Sequence, residues 1–262
     1  MARFTKYAPG QFCWVDLMAH DGPQALEFYG KLFGWEAEQQ DTQGGPPYYI
    51  LKLDGESVGG FGEMNPEMKE AGMPPVWSSY VNVEDAAATT ERVEALGGQV
   101  RMPVMQVMDA GWMSVITDPA GAAVCLWQAN QTCGATLANV PNTWCWSELL
   151  TPSVKNGAKF YEDLFGWTTH REEAGDDYWC FHVGGRRHAG ALNLTPEMGP
   201  IPPHWGVYFS VANVQASCST LTDLGGSVIR PPFEVGVGHI AVVTDPQGGH
   251  FNFIEMTVPA DE

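Results

Sequence analysis

The chain carries a second copy of itself. Residues 28–35 read FYGKLFGW and residues 160–167 read FYEDLFGW, 132 positions apart. Upstream, FCWVDLM (12–18) matches WCWSELL (144–150), which pairs Trp14 with Trp146 and Asp16 with Glu148. Downstream, MPPVWSSYVNV (73–83) matches IPPHWGVYFSV (201–211), LGGQV (96–100) matches LGGSV (224–228), and VITDPAG (115–121) matches VVTDPQG (242–248). Five matched segments in one order, with small length changes between them, mean a duplicated domain. Solenoid repeats are far shorter. The copies occupy 1–130 and 143–262. A polar stretch with Gly and Pro, 131–142, joins them.

Each copy is itself doubled. FCWVDLM has the aromatic and β-branched content of a strand. In DGPQALEFYGKLFG, Pro23 suits a first helical position, and Ala25, Phe28, Tyr29, Leu32 and Phe33 follow helical spacing until Gly34 stops it. Short strands are expected at 34–40, 48–54 and 57–63. The pattern then restarts: WSSYVNV is a strand, EDAAATTERVEALGG is a helix with a Gly stop, and strands follow at 98–104, 112–117 and 122–128. Four βαβββ units result, at about 12–63, 76–128, 144–192 and 204–256, so the fold class is α+β. The segments MNPEM-to-PPVW (64–77) and LTPEM-to-PPHW (194–205) read as extended crossovers between units, given proline's fixed φ.

Charge narrows the partners. There are 13 Lys and Arg against 31 Asp and Glu, a net charge of −18. Charged residues are 17% of the chain, below the roughly 25% of average domains. The shortfall is in bases. A surface of this sign repels phosphate, which excludes nucleic acid as a partner. The longest apolar runs, such as 122–127, are far short of the roughly 20 residues of a membrane helix. No apolar stretch follows the first basic residues, so no signal peptide is read. The six cysteines show no C-x-x-C spacing, and several sit in apolar runs (FCWV, AVCLW, TWCWS). These features point to a reduced, cytoplasmic protein, monomeric or homodimeric, with no contact to membrane.

A strand, a helix ending in FYxxLFGW, a second strand and helix ending in LGG, and TDPxG before a last strand together resemble the vicinal oxygen chelate superfamily. That group takes in glyoxalase I, extradiol dioxygenases and bleomycin-resistance proteins. The tandem arrangement is similar to bacterial proteins often labelled "hydroxylase", some of them in antibiotic pathways that include anthracycline ones. The resemblance covers nearly the whole chain, twice. It implies two glyoxalase-like domains, each a pair of βαβββ modules forming a curved sheet around a cavity.

The resemblance also says where metal ligands would stand. In the first domain those three strand positions hold Trp14, Ser78 and Cys125, and in the second Trp146, Gly206 and Asn252. Divalent metals need several His or carboxylate groups converging, so no metal and no other cofactor is expected. The alternative is a metal held by Glu148, His239 and His250.

Strand alternation identifies neighbours on the same face. It puts Trp14, Asp16, Ser78, Tyr80, Cys125 and Trp127 on the expected ligand-facing side of the first domain, and Trp146, Glu148, Tyr208, His250 and Asn252 on that of the second. His239, from the alternative metal set, and Trp112, its counterpart in the first domain, complete the expected ligand-binding residues. Trp14 and Trp146 are either core plugs or platforms for a flat ligand. Asp16 and Glu148, acids among apolar neighbours, are either paired structural carboxylates or catalytic candidates. Tyr80 and Tyr208 can be structural or ligand-facing. His20 and His170 lie beside turns, where solvent is expected. The implied ligand is an apolar, aromatic or cationic small molecule. The alternative is an enzyme of secondary metabolism with a non-standard site: a hydroxylase, isomerase, lyase or dioxygenase type.

Overall fold

A computed structural model describes residues 3–172 and 178–257. The first domain contains β1 (Phe12–Ala19), α1 (Gly22–Phe33), β2 (Glu36–Gln39), β3 (Tyr48–Leu53), β4 (Glu56–Glu63), α2 (Pro66–Glu70), β5 (Val76–Asn82), α3 (Ala86–Val93), β6 (Gln99–Val107), β7 (Gly111–Thr117) and β8 (Ala123–Ala129). The second contains β9 (Trp144–Thr151), α4 (Val154–Phe165), β10 (Thr168–Arg171), β11 (Tyr178–Val183), β12 (Arg186–Asn193), β13 (His204–Ser210), α5 (Val214–Asp223), β14 (Ser227–Val235), β15 (Gly238–Thr244) and β16 (His250–Met256). The expected βαβββ units are present four times. One reading changes. MNPEM is not wholly extended, because Asn65 accepts from the Met68 amide and caps α2. Pro196–Met198 forms a short 3₁₀ turn in the matching place. Proline fits a first helical turn as well as an extended chain.

Each domain forms one eight-stranded mixed sheet. The order is β2-β3-β4-β1-β5-β8-β7-β6 in the first and β10-β11-β12-β9-β13-β16-β15-β14 in the second. Within each sheet the two units meet at an antiparallel central pair, β1 with β5 and β9 with β13. The sheets are curved and open, not closed barrels.

Period-two alternation gives each sheet two different faces. On β1, Val15, Leu17 and Ala19 point into one large core, while Trp14, Asp16 and Met18 point to the concave side. That core is shared: Phe33 and Trp77 of the first domain pack on Phe209 of the second, at 5.1 and 4.9 Å between ring centroids. Phe12 meets Trp205 at 4.9 Å. The Ser79 and Ser147 hydroxyls bond each other at 3.0 Å, buried between the sheets. The concave faces therefore lie on opposite outer sides of the molecule.

The repeated motifs hold this interface reciprocally. In TDPxG, one oxygen of Asp245 accepts from the Gln247 and Gly249 amides, each at 2.8 Å, and shapes the turn. Its other oxygen accepts from Tyr29 of FYGKLFGW at 2.9 Å, and Trp77 donates to the same tyrosine. Asp118 repeats this with the Ala120 and Ala122 amides and with Tyr161, which takes a bond from Trp205. The closing tryptophans also cross over. Trp35 donates to the Asn142 carbonyl and Trp167 to the Gly10 carbonyl, both at 2.8 Å. Gly10 and Asn142 both adopt positive φ, a conformation that Gly tolerates freely and Asn better than most residues.

Candidate functional site

Each concave face is centred on a buried carboxylate clasped by two tyrosines. In the first domain β1 brings Asp16, β5 brings Tyr80 and β3 brings Tyr48. Asp16 Oδ2 accepts from Tyr80 at 2.8 Å and from Tyr48 at 3.2 Å. Trp14 donates its indole N–H to the Tyr48 oxygen at 3.1 Å. The second domain repeats the arrangement on β9, β13 and β11. Tyr208 donates to Glu148 at 2.6 Å, Tyr178 also bonds Glu148, and Trp146 donates to Tyr178 at 3.0 Å. The acids are 5% exposed, and every buried polar group in the chain from indole to carboxylate has a partner.

Burial dominates the electrostatics. It pushes the Asp16 carboxyl up to about 6, although the two phenols that donate to it pull the other way. Glu148 is raised for the same reason and opposed by Tyr208 and Tyr178. All four tyrosines are held well above the usual phenol value by burial and by the adjacent acid, so they stay protonated donors.

Tyr48 and Tyr178 belong to the candidate site by geometry although the sequence reading missed them, and so do Gly60 and Gly190. Both tyrosines lie across a glycine of the neighbouring strand. A Cβ on Gly60 would stand 2.0 Å from the Tyr48 hydroxyl, and one on Gly190 would stand 1.9 Å from that of Tyr178. A signal was available: each pair is 130 positions apart, between the offsets of the segments flanking it. Gly60→Ala and Gly190→Ala are accordingly expected to displace the tyrosine from the acid. The cost should be about 2–4 kcal/mol from overpacking plus an unpaired buried phenol. Urea melts would read it, and a loss below about 0.5 kcal/mol would show that the tyrosine position is not constrained.

The remaining expected residues divide. Ser78, Tyr80, Cys125 and Trp127 do line the first concave face: Ser78 pairs with Asp16, Cys125 with Tyr80, and Trp127 with Met113. Tyr208 pairs with Asn252 and Trp146 on the second. Trp112 and His239 do not belong to these faces. Ser114 and Ile116 on β7, and Ala241 and Val243 on β15, point into the shared core, so period-two alternation sends Trp112 and His239 to that side as well. His250 pairs with Thr244 and is exposed, whereas His239 pairs with Glu255 at the other end of the same ladder. Five residues along a strand are about 17 Å. Glu148, His239 and His250 are therefore not brought together. Among the described residues no three His, Cys, Asp or Glu side chains are placed to hold a metal ion. His170 is exposed, as expected, and stands edge-on to His182 at 4.6 Å; His20 is half-buried.

The residues at the implied ligand positions do not fit a divalent metal centre. They offer two indoles, a hydroxyl, a thiol, a glycine and an amide, and the adjacent acids are each engaged by two phenols.

With this geometry in hand, comparison with known proteins is informative. Residues 11–126 and again 146–253 match the family model of the Glyoxalase/Bleomycin resistance protein/Dioxygenase superfamily. The chain belongs to that superfamily. Among similar proteins, CFP32 of Mycobacterium tuberculosis is 40% identical over 97% of this chain and 98% of its own. The anthracycline biosynthesis protein DnrV of Streptomyces peucetius is 34% identical over 96% of this chain and 95% of its own. Among solved structures, the 2,3-dioxygenase LapB of Pseudomonas sp. KL28 superposes with a TM-score of 0.65 at 14% identity, covering 98% of this chain and 97% of its own. The Mn(II)-bound glyoxalase of Novosphingobium aromaticivorans gives 0.65 at 17%, covering 100% and 85%. At such identities these two structures speak for the fold alone. This superfamily member thus keeps the tandem architecture of its metal-binding neighbour with a Trp–Tyr–acid–Tyr set at the centre of each sheet.

Proposed function

We propose that the protein binds an apolar or aromatic small molecule on a concave sheet face without using a metal. Its setting would be antibiotic or other secondary metabolism, as a resistance or biosynthetic accessory protein. The observation that carries the reading is the Trp–Tyr–acid–Tyr arrangement, which puts an indole at one implied ligand position of each face and ties it to a buried acid through a phenol. Such walls suit flat molecules with a few polar substituents. The similarity to an anthracycline biosynthesis protein supports a polycyclic aromatic ligand. The negative net charge disfavours strongly anionic ones. All six cysteines are free, in keeping with a reducing cytoplasm. No helix among the described residues is long and apolar enough to cross a membrane.

Indole-fluorescence titration with a hydroxylated anthraquinone, an aminoglycosylated anthracycline and a saturated fatty acid tests the reading. At least one flat aromatic should bind with Kd below 1 mM, the weak end of the ordinary affinity scale. Failure of all three would end it. Metal analysis of purified protein tests the metal-free part, which one ion per chain lost on Glu148→Ala would overturn.

A second reading rests on the raised carboxyl of Glu148. An acid moved toward neutrality can accept or donate a proton at a bound ligand, which would make the protein an enzyme. Glu148→Gln would then abolish turnover and remove an ionisation from the pH profile.

A further inference from the structure

The two concave faces are not equally open. In the first domain the chain leaving β8 folds back over the face, and the N-terminal segment locks it there. Trp127 donates to the Thr132 carbonyl at 2.9 Å, the Ala135 amide to the Cys13 carbonyl at 2.8 Å, and Tyr7 to the Ala135 carbonyl at 2.7 Å. Gly134 passes so close to β1 that a Cβ there would stand 2.2 Å from the Cys13 carbonyl oxygen. Beneath this cover Cys13, Trp14, Tyr80, Cys125, Trp127 and Ala135 form a separate buried cluster. Among the described residues no backbone segment is bonded in this way over the second face. Trp146, Cys145 and Asn252 are half-buried there, whereas their counterparts Trp14, Cys13 and Cys125 are buried.

The second face also differs in chemistry. Gly206 replaces Ser78, and a Cβ there would be no nearer than 3.3 Å to any side chain, so the strand presents bare backbone as a flat floor. Asn252 replaces the Cys125 thiol with a carboxamide. Its only described bond is a long one, 3.3 Å, to the Val207 carbonyl, which leaves an acceptor and a further donor. Arg230 stands where the first domain has Met102. Its partner across the ladder is Val242, whose side chain is on the concave side, and its guanidinium lies 3.5 Å over the Phe233 ring.

Resting on the ligand-binding reading above, we infer that the working pocket is the second concave face alone, and that it takes a planar aromatic bearing a phenolic hydroxyl. The ring lies over Trp146 and the Gly206 backbone. The oxygen substituent meets the Asn252 amide and, at the rim, the Arg230 guanidinium, both suited to an oxygen with lone pairs. The first face is a sealed structural copy.

Equilibrium titration with 1,4-dihydroxyanthraquinone and with unsubstituted 9,10-anthraquinone decides this. The expected result is one equivalent of dihydroxyanthraquinone per chain, held at least tenfold more tightly than anthraquinone. Asn252→Leu should weaken the first quinone tenfold or more and leave the second unchanged, which a folding defect would not do. Gly206→Val should block both, while Met113→Ala on the first face should change neither by more than twofold. Two equivalents, equal affinities, or sensitivity to Met113→Ala with indifference to Asn252→Leu would overturn this inference and leave the ligand-binding reading standing. Absence of binding by either quinone would overturn this inference, and the ligand-binding reading would fall with it only if the aminoglycosylated anthracycline and the fatty acid also failed to bind.

Discussion

Asp245→Ala is expected to cost about 3–5 kcal/mol of unfolding free energy, a large share of a typical domain's stability. The side chain is 4% exposed and serves two masters. It holds two backbone amides of its own turn and the Tyr29 hydroxyl of the other domain. Alanine leaves three donors without an acceptor, of which the Tyr29 hydroxyl and the Gly249 amide are buried and each worth about 1–3 kcal/mol before relaxation. Asp118→Ala should cost less, because its bond to Tyr161 is longer, 3.3 Å against 2.9 Å. Because the core is continuous between domains, urea unfolding should remain one transition with an unchanged m-value and a lower midpoint. Two separate transitions, or a loss below about 1 kcal/mol, would contradict the shared core.

The second large effect concerns pH. His188 of β12 lies between the Phe12 and Trp167 rings and accepts the Phe12 amide proton as a neutral imidazole. Burial lowers its value to about 4 from the usual 6.5. Its contribution is therefore complete above 6.5 and is lost as pH falls from 6.5 toward 4. Asp16 works in the opposite sense. Burial raises it from 3.8 to about 6, so its contribution is complete below about 4 and is lost as pH rises through 6. Each shift corresponds to about 3 kcal/mol in total. Between pH 4 and 6 the two nearly cancel. Subtracting the wild-type curve from that of a variant removes all other groups, including Glu148. Relative to wild type, Asp16→Asn should gain about 3 kcal/mol as pH rises from 4 to 7. Relative to wild type, His188→Asn should gain about as much as pH falls over the same range. Parallel curves for wild type and either variant would refute that group's assignment.

The architecture was legible because it rests on patterns that local chemistry enforces. Asp21 caps α1 and Gly34 ends it with φ of 76°. The TDPxG turns and period-two strands also appear where the residues place them. The geometry of the candidate sites was legible in part. Asp16, Glu148, Tyr80 and Tyr208 lie on central strands, whose faces follow from one alternation. Trp112 and His239 lie two strands beyond the central pair, on β7 and β15, where alternation places them on the core side with Ser114, Ile116, Ala241 and Val243. Tyr48 and Tyr178 were hidden for another reason. Their role depends on a missing Cβ across the ladder, and neither the tyrosine nor the glycine reveals that alone. Nor does any residue of 131–142 announce that part of this joining segment packs as a cover over β1.

The reciprocal Tyr–Asp contacts have one more consequence. In an association of two identical copies, each residue occurs twice, and a substitution that reshapes one pocket necessarily reshapes the other. Covalent fusion of the halves removes that constraint while leaving the contact surface intact. Here the interface residues still correspond, Tyr29 with Tyr161 and Asp118 with Asp245, while the pocket floors have parted, Ser78 from Gly206 and Cys125 from Asn252. One chain can thus hold its interface constant while its two concave faces diverge in chemistry.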